Sequence, residues 1–108
     1  MSRLAAAHLD LAHALADAAG AVQRRYFRTP VAVDSKPDES PVTIADREAE
    51  SAMRDLLRAR APGHGVFGEE YGVEAADAEL VWVIDPIDGT KSFICGRPLF
   101  GTLVALLH

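Results

Sequence analysis

Two acids flank a proline and an isoleucine in Asp85-Pro86-Ile87-Asp88, directly after the apolar run Val81-Trp82-Val83-Ile84 and directly before Gly89-Thr90. The run has the β-branched and aromatic content of a buried strand, and Pro86, which lacks a backbone donor, is expected to stop it. Asp85 and Asp88 then stand at a strand end, where they can aim into one small volume. Clustered carboxylate oxygens suit a hard divalent cation such as Mg²⁺. An Asp-Pro turn with Asp88 as a helix N-cap accounts for the same residues without any chemistry.

Upstream, Val66-Phe67-Gly68-Glu69-Glu70-Tyr71 is a second short apolar run that ends in a glycine and paired acids. If the two strands are neighbours in one sheet, Glu69 joins Asp85 and Asp88 at the same edge. Like charges that close need protonation or bound cations to persist at neutral pH. Gly89 and Thr90, at a helix start, offer backbone N–H groups and a hydroxyl to an anion. A cation site beside an anion cradle points to phosphate.

On these residues the chain resembles the inositol monophosphatase family of Mg²⁺-dependent phosphomonoesterases. The resemblance runs through Gly68-Glu69-Glu70 and Asp85-Pro86-Ile87-Asp88-Gly89-Thr90, preceded in the expected order by Lys36 and by Ser40-Pro41-Val42-Thr43-Ile44-Ala45-Asp46. The continuation Lys91-Ser92-Phe93-Ile94-Cys95-Gly96-Arg97 looks most like the histidinol-phosphatase branch, because inositol phosphatases usually have Thr-Asn-Phe after Asp-Gly-Thr.

The resemblance implies a layered α/β (α+β) sandwich of the inositol monophosphatase and fructose-1,6-bisphosphatase type, with N-terminal helices packed on a mostly antiparallel sheet. It implies one Mg²⁺ on Glu69, Asp85 and the Ile87 carbonyl. A second would share Asp85 and use Asp88 plus an aspartate from a Trp-Asp-x-Ala-Ala-Gly-like segment that does not occur in this chain. Glu69 is the ligand of the acidic pair, with Glu70 supporting the metal loop behind it, and Lys36 lies near the metals where its charge balances the acids. Asp46 is implied to hydrogen-bond Thr90 so that the pair orients or deprotonates the attacking water, making Glu69, Thr90 and Asp46 the catalytic set. Gly89 and Thr90 hold the substrate phosphate.

The implied reaction is hydrolysis of a small phosphate monoester by metal-activated water, histidinol phosphate to histidinol in histidine biosynthesis being the first choice. Inositol 1-phosphate and a nucleotide 3′-phosphate are the alternatives. Three acids, Glu69, Asp85 and Asp88, against the charge of two Mg²⁺ imply weak, substrate-dependent occupancy of the second site. Residues 1–108 correspond on this reading to the N-terminal portion of the domain, its C-terminal half absent. The apolar stretch Leu103-Val104-Ala105-Leu106-Leu107-His108 reads as a strand with no evident partner. A reading from another class is a catalytically inactive, truncated metal-binding lobe.

The other elements are those that must position these residues. Ser2 reads as the N-cap of a helix to about Arg28, with an apolar face of Leu4, Leu11, Leu15, Ala18, Val22 and Tyr26. Val31-Ala32-Val33 reads as a short strand, Lys36 to Ser40 as a polar loop, and Thr43 to Arg60 as a second helix ended by Pro62, Gly63 and Gly65. On spacing alone, Thr43 and Asp46 are helix-starting residues in a capping-box-like arrangement. Glu74 to Glu79 reads as a surface loop between the two site strands.

The chain is acidic, with a formal net charge of -5. That disfavours nucleic acid and anionic membranes as partners but not an anionic substrate, since bound Mg²⁺ reverses the local field. No stretch resembles a secretory signal or a membrane span. The single Cys95 cannot form an internal disulfide and is expected to be a buried packing residue, in a cytoplasmic protein. His8, His13, His64 and His108 lack metal-ligand spacing. Lys91 and Arg97 are basic residues that either contact substrate or are ordinary surface. The partner expected is a small phosphorylated metabolite, and the family resemblance suggests a homodimer.

Overall fold

The computed structural model describes residues 3–35 and 41–108. Its elements in chain order are helix α1 (Arg3–Tyr26), strands β1 (Val33–Ser35) and β2 (Pro41–Thr43), helix α2 (Ile44–Arg60), strands β3 (Gly65–Gly68), β4 (Gly72–Glu74) and β5 (Val81–Asp88), the short helix α3 (Thr90–Ile94) and strand β6 (Gly101–Leu107). Strands β1 and β2 form a hairpin of their own, and the other four form one sheet in the order β4-β3-β5-β6. β3 and β5 run parallel while the two outer pairings are antiparallel, so the sheet is mixed and mostly antiparallel, as expected.

Helices α1 and α2 pack on each other and on one face of this sheet. The core between them is Leu11, Leu15, Ala19 and Val22 of α1, Ala49, Met53 and Leu57 of α2, and Val66, Trp82 and Ile84 of the sheet. Alternation along β5 sends Trp82, Ile84 and Pro86 into this core, while Val81, Val83 and Asp85 are half-buried on the opposite face. In α1 the fully buried alanine is Ala19, while Ala18, expected on the apolar face, is half-buried. Trp82 is wholly buried, so its indole N–H needs an acceptor and finds one in His64 Nδ1 at 3.0 Å. His64 thereby has a packing role, its proton necessarily on Nε2 in the neutral ring.

Several expectations are corrected. Pro86 does not stop the strand: β5 continues to Asp88 through a register shift between Asp85 and Asp88. A bulge tolerates a residue without a donor, and the Pro86 carbonyl is used instead. It accepts from the Gln23 side-chain amide of α1 and from Thr102 Oγ1 at 2.8 Å, while Gln23 Nε2 also donates to Thr102 Oγ1 at 2.7 Å. Asp88 is not a helix N-cap, since Gly89 occupies that position.

The segment read as a loop from Glu74 begins one residue later, because Gly72-Val73-Glu74 folds back on β3 as β4. The first short strand lies at Val33–Ser35, set by pairing with β2, and not at Val31–Val33. The last strand has a partner, pairing antiparallel with β5 from Gly101 onward. Cys95 is exposed, because it caps the C-terminus of α3 while its neighbour Phe93 supplies the buried side chain. The Ser2 cap and Lys36 lie outside the described residues. No described helix is long and apolar enough to cross a membrane.

The Gln23-Pro86-Thr102 triangle ties α1, the bulge and β6 together. Replacing Gln23 by Ala removes one of the two donors to the Pro86 carbonyl, and we expect a loss of about 0.5–1.5 kcal/mol in chemical denaturation; an unchanged midpoint would show that Thr102 and the strand pairing hold the bulge without Gln23.

Candidate active site

The expected site residues follow the point where the parallel pairing of β3 and β5 ends. Their register sets Gly68 opposite Ile84, and Glu69 and Asp85 are the residues that follow this last pair. Glu69 opens the turn between β3 and β4 and is exposed, whereas Asp85 is half-buried on the sheet face away from α1 and α2. Asp88 ends β5 after the bulge, opposite Gly101, and is exposed. Two of the expected carboxylates thus follow the last β3/β5 pair directly, and the third ends β5 three residues later. Among the described residues no three His, Cys, Asp or Glu side chains already converge as a ligand set. The donors present, carboxylates and the Ile87 carbonyl, are all oxygen, which fits Mg²⁺ and not a softer metal.

Gly89 turns the chain from β5 into α3. Its φ of 92° lies in the left-handed region, and a Cβ there would stand 2.9 Å from the Leu99 carbonyl oxygen, so only glycine fits without strain. A second small core holds α3 in place: Phe93 packs with Phe27 and Phe100 at ring-centroid distances of 5.7 and 5.0 Å, alongside Ala45 and Ile87.

Thr90, the first residue of α3, lies with its Oγ1 3.0 Å from Asp46 Oδ1 and 3.2 Å from the Ile87 carbonyl oxygen. A hydroxyl has one proton, and the shorter, charge-assisted bond is to Asp46. Asp46 is only 2% exposed. Its other oxygen accepts from the Thr43 backbone N–H and from Thr43 Oγ1, both at 2.7 Å, while the Asp46 N–H returns a bond to Thr43 Oγ1 at 3.3 Å. The capping box expected at the start of α2 is thus present, and the same carboxylate reaches across 44 residues to Thr90. With its proton directed to Asp46, Thr90 Oγ1 keeps lone pairs available to accept from a water.

Glu50 and Arg54 were not singled out from the sequence. Glu50 is completely buried and accepts from the Glu70 N–H at 2.8 Å, the Tyr71 N–H at 2.9 Å and Arg54 Nε at 3.0 Å. Arg54 also donates to the Gly72 carbonyl. Gly68 is a glycine because a Cβ there would lie 2.5 Å from the Glu50 carboxylate. The available signal was a Glu-x₃-Arg pair in phase with Ala45, Ala49, Met53 and Leu57, on the apolar side of α2.

The sequence profile of the inositol monophosphatase family matches residues 6–108. The chain belongs to that family. It is 54% identical over 98 residues to the bifunctional phosphatase IMPL2 of Arabidopsis thaliana, covering 89% of this chain and 28% of that protein. It is 47% identical over 101 residues to a histidinol-phosphatase of Mycobacterium tuberculosis, covering 93% of this chain and 39% of that protein. Among solved structures, an inositol monophosphatase from Zymomonas mobilis superposes with a TM-score of 0.78 at 49% identity, covering all of this chain and 41% of that one. The chain thus spans less than half the length of the relatives it matches, and the layered fold is that of the family's solved structures.

Asp46→Asn should be destabilising. An amide has one acceptor oxygen, so keeping the Thr43 N–H bond turns an NH₂ toward Thr90 and reverses that hydrogen bond. We expect a loss of about 1–3 kcal/mol with an unchanged denaturant slope; an unaffected midpoint would show that the carboxylate is not needed in its three-donor setting.

Proposed function

We propose that the chain is the N-terminal portion of a Mg²⁺-dependent phosphomonoesterase domain, and that its substrate is a small phosphate monoester, histidinol phosphate first. The observation that supports this reading is the β3/β5 register, in which Gly68 pairs with Ile84, the residues that immediately precede Glu69 and Asp85. In this reading Glu69, Asp85 and the Ile87 carbonyl hold one Mg²⁺. Asp88 serves a second, together with a ligand from outside these 108 residues.

Bound there, Mg²⁺ supplies Lewis-acid polarisation of the phosphoryl group and lowers the pKa of a coordinated water. The chain's own residues do the rest. Thr90, its proton committed to Asp46, accepts from the attacking water and sets its direction, and the buried Asp46 acts through Thr90 without touching substrate. The N–H groups of Gly89 and Thr90, at the start of α3 where no intrahelical acceptor is available, hold a phosphate oxygen. Glu70 contributes its backbone through Glu50, and Lys36 is assigned to charge balance near the acids. A soluble cytoplasmic enzyme and a homodimer complete the reading.

Histidinol phosphate is preferred because of the Lys91-Ser92-Phe93 continuation, and the name of the mycobacterial relative points the same way. The 49% identity to the Zymomonas mobilis inositol monophosphatase keeps inositol 1-phosphate as the second reading.

The test is phosphate release from both esters, with and without Mg²⁺, by this chain and by one extended through the residues that its relatives carry in addition. Mg²⁺-dependent turnover of histidinol phosphate by the extended protein is expected, and inactivity of both proteins would favour a non-enzymatic lobe. In the active form, Thr90→Val should lower kcat by roughly 10²–10⁴-fold, with Thr90→Ser restoring most of it. A Thr90→Val enzyme of full activity would remove Thr90 from the mechanism.

A further inference from the structure

We propose that Glu50, braced by Arg54, is a positioning residue for cation binding, which fixes Glu69 against Asp85 by holding the turn that follows β3. This rests on the reading of Glu69 as a metal ligand. The turn lies at the surface. Glu69, Tyr71, Gly72 and Val73 are all exposed, and β4 is only three residues long. An exposed turn opens at lower cost than a buried one, and its backbone hydrogen bonds then set how rigid it is.

Glu50 ties it from below. Its two oxygens accept from the consecutive N–H groups of Glu70 and Tyr71, the residues immediately after Glu69, at 2.8 and 2.9 Å. Arg54, one helical turn further along α2 and 5% exposed, bonds Glu50 at 3.0 Å and reaches past it to the Gly72 carbonyl. The absent side chain at Gly68 lets the carboxylate approach the strand end closely. The clamp therefore grips the chain on both sides of the ligand: at the Gly68 end of β3 by close packing, and at Glu70 to Gly72 by charge-assisted hydrogen bonds.

The spacing on α2 gives the arrangement its purpose. Asp46 and Glu50 are four residues apart on the buried side of one helix. Asp46 reaches the start of α3 through Thr90, and Glu50 reaches the turn after β3. One rigid helix face thus sets the separation between the water-orienting hydroxyl and the metal-binding carboxylate.

The test uses the whole 108-residue chain, Mn²⁺ alone as the cation probe, and backbone amide exchange followed by NMR without metal. In wild type the Glu70 and Tyr71 amides should be protected. Glu50→Gln offers one acceptor oxygen to three donors, so these amides should exchange faster and Mn²⁺ affinity should fall about 10–100-fold, the range seen when partners behind metal ligands are removed. Leu57→Ala, a core truncation on the same helix, should lower thermal stability and leave Mn²⁺ affinity unchanged.

If Glu50→Gln does not fold, Arg54→Lys decides. It keeps the charge but cannot span Glu50 and Gly72 together, and should weaken Mn²⁺ about tenfold on the same grounds. Unchanged affinity in the folded variant, or an equal loss in Leu57→Ala, would overturn the proposal while leaving the metal reading intact. A wild-type chain with no affinity for Mn²⁺ would overturn the metal reading, and this role with it.

Discussion

A carboxylate taken out of water must be fully hydrogen-bonded, and it then dictates where its donors stand. Asp46 and Glu50 impose that constraint on this fold. Each accepts three hydrogen bonds, and in each case at least one donor belongs to a segment distant in sequence: Thr90 for Asp46, Glu70 and Tyr71 for Glu50. Leaving either group unpaired would cost several kcal/mol, a large part of the stability of a small domain. The directions of α3 and of the turn after β3 are accordingly coupled to the position of α2. Among the described residues no buried side-chain nitrogen or oxygen lacks a partner.

The apolar packing supplies the frame in which that constraint acts. The core under α1 and α2 seats Trp82 and Ile84 and so fixes the face and register of β5, while the Phe27-Phe93-Phe100 cluster seats α3. Between these two cores the chain must pass from strand to helix within a few residues. The bulge at Pro86, satisfied by Gln23 and Thr102, and the left-handed Gly89 make that passage. Three oxygen donors of the proposed cation site, Asp85, the Ile87 carbonyl and Asp88, lie on it.

Much of this was legible in the residues. The Thr43-x-x-Asp46 box, the apolar runs before Glu69 and Asp85, and the Gly89-Thr90 helix start are local patterns, and local patterns survive folding. What escaped depended on the third dimension. Pro86 reads as a strand end because its missing donor is a local fact, whereas the bonds to its carbonyl come from residues 63 and 16 positions away. Strand β4 is three residues of a polar stretch, visible only through its pairing with β3. Glu50 and Arg54 form an i, i+4 pair that ordinarily marks a solvated helix face, and only their phase with the buried alanines places them inside. The Asp46–Thr90 bond followed from the family resemblance and not from spacing, since nothing local links residues that far apart.

In the proposed site Glu69 and Asp85, which follow the last β3/β5 pair, hold one cation. The most direct measurement is a crystal structure of the chain soaked in Mn²⁺, with the ion located by its anomalous scattering. A peak held by the Glu69 and Asp85 carboxylates is expected. A peak that involves neither carboxylate, or a fully ordered Glu69 turned away from Asp85 in the soaked crystal, would contradict it.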